Sequence, residues 1–406
     1  MNVSRDEFGQ LAKSFMQAQG ELRPVQYDAQ FFRLVIGTET GPTSFAYLGH
    51  AYDEMVEGER PERILSRRLW SSIRRDGDAP VSLSLSRVMP RLRDLAFFSQ
   101  VRRQAELEYG GDERAIESVL MPHQKYNDAL AIQLAYELPT SVSELENEHL
   151  SGWKLSFNDV LKHGLDNLAA RSTQAFESPG PGLYVGPWHD GFDSSRLLLT
   201  DLFSKLELKG APVAMVPTHS ILVVTGDEDA EGLLQIATWA EEALQEPRNN
   251  TGFAFRLENG TWQPWLPPRG TPAFLKLRMM QLQTLASLYG RQQEVLEALL
   301  ETNGHDIFVG GLRAFRTGGG DIFTSCAWTE GVDALLPVTD RIDFVRMPPE
   351  KSSAQAQVWS TSWQAAQRIV GDLMEETGDV PVRIRASRFP TDAQLEQLAA
   401  EGALPK

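Results

Sequence analysis

The chain has 406 residues, 42% hydrophobic and 23% charged, with a formal net charge of −16. That length asks for two or three domains instead of one core, and the acidity disfavours nucleic acid as a partner of the whole molecule, since a polyanion is approached at an electrostatic cost. The single cysteine, Cys326, excludes an intrachain disulfide and any multi-cysteine metal site.

The N-terminal MNVSRDEFGQLAK carries acidic residues and no apolar core, unlike a signal peptide. Nowhere do about 18 apolar residues run together, as a membrane span needs. The expectation is a cytoplasmic protein with no membrane association. Residues 4–18 are expected to be a helix, with Phe8, Leu11 and Phe15 on one side, Tyr27 to Ile36 a strand, and Thr38 to Thr43 a turn. Phe45, Leu48, Tyr52 and Met55 mark a helix ending near Gly58, and another runs from Pro61 to about Ile73. Val81, Leu83 and Leu85 alternate as a strand before Met89–Pro90, and residues 91–110 read as helix.

A helix after Gly110–Gly111 is broken by Pro122, and Leu130 to Leu138 is an apolar run too short to assign by period. Residues 145–148 read as a connection. Phe157 to Leu168 is spaced for a helix, and the Pro/Gly-rich 178–182 marks a subdomain seam.

The most regular stretch is Gly182 to Leu244. It reads as a strand at 183–186, a helix capped by Asp193, an apolar hairpin of 212–216 and 221–225, and a helix capped by Asp227 or Asp229. Residues 252–258 and 261–265 form a hairpin across Asn259–Gly260, the strongest short turn signal in the chain. Pro272 starts the longest helix, to about Glu301, with Gly290 a point where it can split. A meander at 306–315, 322–328, 334–336 and 341–345 comes next, then a loop at 348–355, a helix at 359–374, a strand at 380–386 and a last helix at 391–399. The fold class is α+β, with mixed or antiparallel sheets packed with helices. It divides into a helix-rich 1–178 region, a central 182–268 region and a 269–406 region with the long helix and the meander.

Two regions carry candidate chemistry. His189 and Asp190 precede an expected helix N-terminus, and His219 sits on the turn between the next two strands, so both can fall near one sheet edge. His189, Asp190 and His219 together can hold a divalent metal or do acid–base work, which gives a hydrolase-like alternative. Their spacing is no recognised ligand motif, and turn formation alone accounts for the neighbouring Asp193 and Ser195. The second region is 60–103, where eleven Arg stand against four acids. Arg67, Arg68, Arg74, Arg75, Arg91 and Arg93 form a candidate surface for nucleic acid or another anionic partner. Against it stand pairing with the acidic remainder of the chain and the lack of interleaved aromatic residues.

Other signals favour packing. Ser194 and Ser195 lack a Gly-x-Ser-x-Gly elbow. Cys326 lies in an apolar strand, where cysteine behaves as a small hydrophobe. Glu330, Asp333 and Asp340 are explained by strand-end turns. Gly310–Gly311 and Gly318–Gly320 lack the Lys and helix context of a phosphate loop.

Five stretches together resemble the DUF1444 (YtpQ-like) family of bacterial proteins over roughly residues 30–245. They are SFAYLGHAYDEM near 44, VMPRLRD at 88–94, DNLAARS at 166–172, GLYVGPWHDGFDSSRLLL from 182, and VAMVPTHSILVVTG at 213–226. Ser220 stands where the family pattern has Asp. The resemblance implies a bacterial cytoplasmic protein and carries no activity to transfer. The reading is therefore a non-catalytic interaction or accessory protein without a cofactor, whose partner is another protein or a second copy of itself.

Overall fold

The computed structural model describes residues 3–29, 32–37, 44–56, 58–69, 84–137, 142–245, 250–316, 320–348 and 355–401. Contacts divide the chain into two units, 1–87 with 136–143, and 88–135 with 144–406.

The first unit opens with α1 (Arg5–Ala18), whose Ser4 and Glu7 form a reciprocal capping box. Phe8, Ala12 and Met16 are its buried residues, so Leu11 turns outward instead. The strand expected over 27–36 is a hairpin: β1 (Val25–Asp28) pairs antiparallel with β2 (Arg33–Ile36), Val25 opposite Ile36. Phe32, at φ +47°, lies in the turn between them. The helix read from Phe45 begins later, because β3 (Ser44–Tyr47) joins the sheet before α2 (Gly49–Val56). α3 (Pro61–Leu69) closes a core around Phe8, Phe32, Leu34, Ile64 and Leu65. The expected turn at 38–43 and the positions Val81 and Leu83 lie outside the described residues.

In the second unit, β4 (Val88–Asp94) occupies the first part of the helix expected at 91–110; Asp94 caps α4 (Leu95–Tyr109) by accepting from the Ala96 amide at 2.8 Å. Then come α5 (Glu113–Val119), β5 (His123–Lys125), β6 (Leu130–Glu137), β7 (Val142–Glu144), α6 (Asn147–Trp153) and α7 (Phe157–Ala170), the end of β6 from residue 136 and the start of β7 to residue 143 being counted with the first unit. The unassigned apolar run is thus β6, a strand buried on both faces, and α6 stands where a connection was expected.

The centre of this unit is a six-stranded antiparallel sheet. Its strands are β8 (Glu177–Gly180), β9 (Leu183–Val185), β10 (Pro212–Thr218), β11 (Ile221–Gly226), β12 (Ala254–Glu258) and β13 (Thr261–Trp265), in the order β13-β12-β10-β11-β9-β8. Val213, Met215 and Val223 face α8 (Ala230–Ala243) and the start of α9 (Pro272–Thr302). Ala214, Val216, Leu222 and Val224 face a second core with Leu92, Ile132, Phe203 and Trp262. Burial on both faces is why β10 and β11 read as continuous apolar runs instead of alternating ones. Asn259 and Gly260 turn the β12–β13 hairpin at φ +50° and +81°, the left-handed pair that a tight two-residue hairpin needs.

α9 is a single 31-residue helix with Pro272 at its start, unbroken at Gly290. The C-terminal strands do not form a meander. β14 (Phe308–Val309), β17 (Ala334–Pro337), β21 (Arg383–Ala386) and β20 (Glu375–Glu376) make one sheet. β15 (Arg313–Arg316), β16 (Ile322–Thr329), β18 (Arg341–Arg346) and β19 (Gln357–Ser362) make another, with β16 and β18 parallel. The start of the helix expected at 359–374 is spent on β19, leaving α10 (Trp363–Val370). α10 and α11 (Asp392–Glu401) enclose a core of Trp328, Ile342, Phe344, Leu395 and Leu398.

Candidate functional site

Gly186 to Asp193 makes a tight turn before any helix begins. His189 takes φ +48° and Gly191 φ +80°, and the Asp193 carboxylate accepts from the His189 and Asp190 amides at 3.0 and 3.2 Å. Asp193 therefore holds the turn behind it and does not cap a helix ahead of it. The chain then takes 3-10 geometry over Ser194–Leu198 and Thr200–Lys205.

Asp190 is engaged as well. Both its oxygens accept from Arg196, at 2.8 Å each, and Oδ1 also accepts from the Phe192 amide at 3.0 Å. Arg196 is fully buried; its Nε donates to Ser172 Oγ at 2.9 Å, and its guanidinium lies 4.1 Å from the Trp188 ring centre. Burial would raise the Asp190 carboxyl, but the Arg196 and Phe192 hydrogen bonds outweigh it and hold the group below its ordinary value. This is the geometry of a structural ion pair: a buried guanidinium held bidentately by a carboxylate, with its Nε on a hydroxyl.

The two turns do come together as their placement at one sheet edge required. His189 Nδ1 lies 3.4 Å from the Ser220 carbonyl, and the Ser194 amide donates to the His219 carbonyl at 3.2 Å. The side chains serve different surroundings. His189 is exposed, whereas the His219 ring lines a cleft of about 530 Å³ that includes neither His189 nor Asp190.

That cleft is lined chiefly by β4, α9 and the β10–β11 turn, with further residues from α4, β7 and the chain after α8. Along β4, Arg91 and Arg93 alternate with Leu92, so the two guanidinium stems share one side of the strand while Leu92 enters the core. α9 contributes Met280, Gln283, Thr284, Ser287, Leu288 and Arg291, whose three-and-four spacing is one helical face. The β10–β11 turn contributes His219. Arg93 stacks on Phe97, with its guanidinium carbon 3.5 Å from the ring centre, and pairs with Glu144. Arg291 donates to Ser287 O, at 3.4 Å, from an exposed position on the rim.

Burial and the neighbouring charges act on two titratable groups of the cleft. Burial, and then the positive charges of Arg91 and Arg93, pull His219 down to about 3, so its imidazole is neutral at physiological pH, and its buried Nδ1 has no hydrogen-bond partner among the described residues. Burial raises Asp94 to about 6, against the opposing pull of the Ala96 amide, Arg291 and Arg93. A histidine with so low a pKa is a weak general base at neutral pH. The arrangement is better suited to receiving a negatively charged group: three arginines and several amide donors stand against the carboxylates of Asp94 and Glu144, the latter paired with Arg93. Arg291, Asn250 and Thr284 escaped the sequence reading. The legible signal was the polar stripe at 283, 284, 287 and 291 along a leucine-rich helix.

His189, Asp190 and His219 do not assemble as metal ligands: among the described residues, no three His, Cys, Asp or Glu side chains gather to hold an ion. The reason is geometric, since Asp190 turns to Arg196 while His219 turns to Arg91 and Arg93.

The arginine-rich stretch is divided between the two units. Arg68 pairs with Glu54. Arg102 pairs with Glu106, Glu113 and Glu117, and Arg103 with Glu106 and Asp379. These belong to the pairing that the acidic composition allowed. Arg74 and Arg75 lie outside the described residues, as does the side chain of Arg67. A second hollow of about 410 Å³, beside Phe98 and His123, has Arg102, Arg103 and Asp379 on its wall, each already in those pairs. Glu330, Asp333 and Asp340 go to separate arginines, Arg346, Arg385 and Arg278. Burial pushes the Cys326 thiol up to about 11.

Compared with protein-family models, curated proteins and solved structures, the chain matches none. No helix among the described residues is long and apolar enough to cross a membrane.

Proposed function

We propose that the chain is a binding protein, not an enzyme, and that the cleft beside β4 and α9 receives an anionic group, a carboxylate or phosphate, of its ligand or partner. The observation that carries this reading is the convergence of Arg91, Arg93 and Arg291 on the cleft that His219 lines. Gln283, Thr284 and Asn250 supply neutral hydrogen-bonding groups in the same cleft. The engagement of Asp190 by Arg196 favours binding over hydrolysis, because it ties up the carboxylate that a His–Asp mechanism would use. Two of the stretches that carry the DUF1444 resemblance, VMPRLRD and VAMVPTHSILVVTG, contribute Arg91, Arg93, Asp94 and His219. On this proposal, likeness to that family is likeness in a binding site.

The test is calorimetric titration of the full chain with inorganic pyrophosphate and with citrate, in parallel with Arg291→Gln and Arg93→Gln. Arg291 is exposed and its replacement leaves the core untouched. Loss of one charge-assisted contact, at about 1.5–3 kcal/mol, weakens binding by about tenfold or more in Arg291→Gln. Absence of heat with either anion, or equal affinity in both variants, refutes the assignment.

A further inference from the structure

One sheet face has no counterpart in the cleft. In the β15-β16-β18-β19 sheet, alternate residues Trp328, Ile342 and Phe344 point into the core under α10 and α11. The residues between them lie on the opposite face, which is exposed toward β15 and β19 and covered at Ser325. The register places Phe315 opposite Phe323, and one step along it places Arg313, Ser325 and Arg341 in a row across three strands. Beyond these lie Ala327, Asp343 and Ser360, then Thr329, Val345 and Val358.

The solvent face of a sheet is ordinarily polar, yet Phe315 is 44% exposed and Val358 54% on this mixed one. Phe315 and Phe323 are stacked, with centroids 5.5 Å apart and planes at 20°, and the Arg341 guanidinium carbon lies 3.9 Å from the Phe323 ring centre. All four residues of β15 are exposed, Arg313 and Arg316 among them, and neither arginine has a carboxylate partner among the described residues. The Asp343 carboxylate is bonded by the hydroxyls of Ser325 and Ser360.

We propose that this face binds single-stranded nucleic acid. An open sheet face with flat aromatic groups beside arginines provides what an unpaired strand needs: planes for its bases and cations for its phosphates. Phe315 and the Arg341 guanidinium are the planes. Arg313, on this face at the sheet edge, is the phosphate contact; Arg316 lies opposite Ile322, on the other side of the strand. A cation row and an aromatic row separated by two residues along a strand, about 7 Å, let one bound strand use both. The net charge of −16 does not preclude this, because charges more than about 8 Å away are largely screened at physiological ionic strength. The local balance on this face is Arg313 and Arg341 against Asp343 and, at the margin, Asp321. This is the interleaving of arginine with aromatic residues that residues 60–103 lack.

The experiment is fluorescence anisotropy of the full chain with labelled oligo(dT) and oligo(rU) of about twelve nucleotides, within the span of single-strand sites, and with a duplex of equal length. Binding to the single strands is expected, with a log–log salt slope of about −0.7 for each phosphate engaged. Phe315→Ala is expected to weaken it about tenfold or more, as removal of a stacking platform does. Phe308→Ala, an exposed phenylalanine outside this face, should leave affinity unchanged. Several results overturn the proposal. They are no anisotropy change at about 100 µM chain, the weak limit of non-specific binding, equal affinity for duplex, and single-strand binding that survives Phe315→Ala. A dimer in light scattering that dissolves in Phe315→Ala overturns it too, since the face would then belong to a second copy.

Discussion

Replacing Asp190 by alanine separates a structural carboxylate from a chemical one. In the folded chain Arg196 is buried and spends two donors on Asp190 and a third on Ser172. Asp190→Ala leaves that guanidinium buried with its charge unpaired, which costs about 3–5 kcal/mol. For a unit of about 300 residues, an unfolding entropy of about 2.1 cal/mol/K per residue gives about 0.65 kcal/mol/K, so the melting temperature falls by about 5–8 °C. The double change Asp190→Ala with Arg196→Met removes the stranded charge and recovers most of that loss. Because the folded Asp190 carboxyl sits below its ordinary value, the pair stabilises above the unfolded pKa of about 3.9. Its contribution disappears as pH falls through the lower folded value. The gap between wild type and Asp190→Ala is therefore constant at neutral pH and narrows below about pH 4. Scanning calorimetry at several pH values measures all of this. A variant that melts within about 1 °C of wild type, well short of the expected fall, or a double variant less stable than Asp190→Ala, refutes the structural assignment of the pair.

Three further outcomes rest on the same geometry. His219, pulled down to about 3 by burial and by Arg91 and Arg93, shows no NMR titration between pH 5 and 8. Since the unfolded histidine takes up a proton below about 6.5, the folded chain loses stability as pH falls from there toward 3, and His219→Gln flattens that part of the curve. Cys326, buried and raised to about 11, resists iodoacetamide at pH 8 in the folded chain and reacts once urea unfolds it; fast labelling of native protein contradicts its burial. Arg383 donates to Gln292 Oε1 and to the carbonyls of Gly310, Leu335 and Tyr289. Arg383→Met orphans those acceptors and costs about 2 kcal/mol or more in urea denaturation; an unchanged midpoint refutes that account.

Local chemistry determined much of this fold without help from the rest of the chain. The Asn259–Gly260 turn, Pro272 at the start of α9 and the cap of α8, narrowed to Asp227 or Asp229, were legible because each rests on residues within a few positions. The α+β class was legible for the same reason. What tertiary structure decided was whichever feature needed a distant partner. Residues 27–36 could be read as one strand because nothing local marks Phe32 as the turn, and residues 357–362 became β19 because β18 was there to pair with. Asp193 has the sequence of a helix cap, but the fold sends its carboxylate back to His189 and Asp190. His189, Asp190 and His219 are close in the sheet, as their turns implied, yet Arg196 and Arg91 decide what each can do. The sequence by itself places a charged side chain on an element; only the fold selects which opposite charge, ring or carbonyl it meets, and that choice sets its pKa and its role.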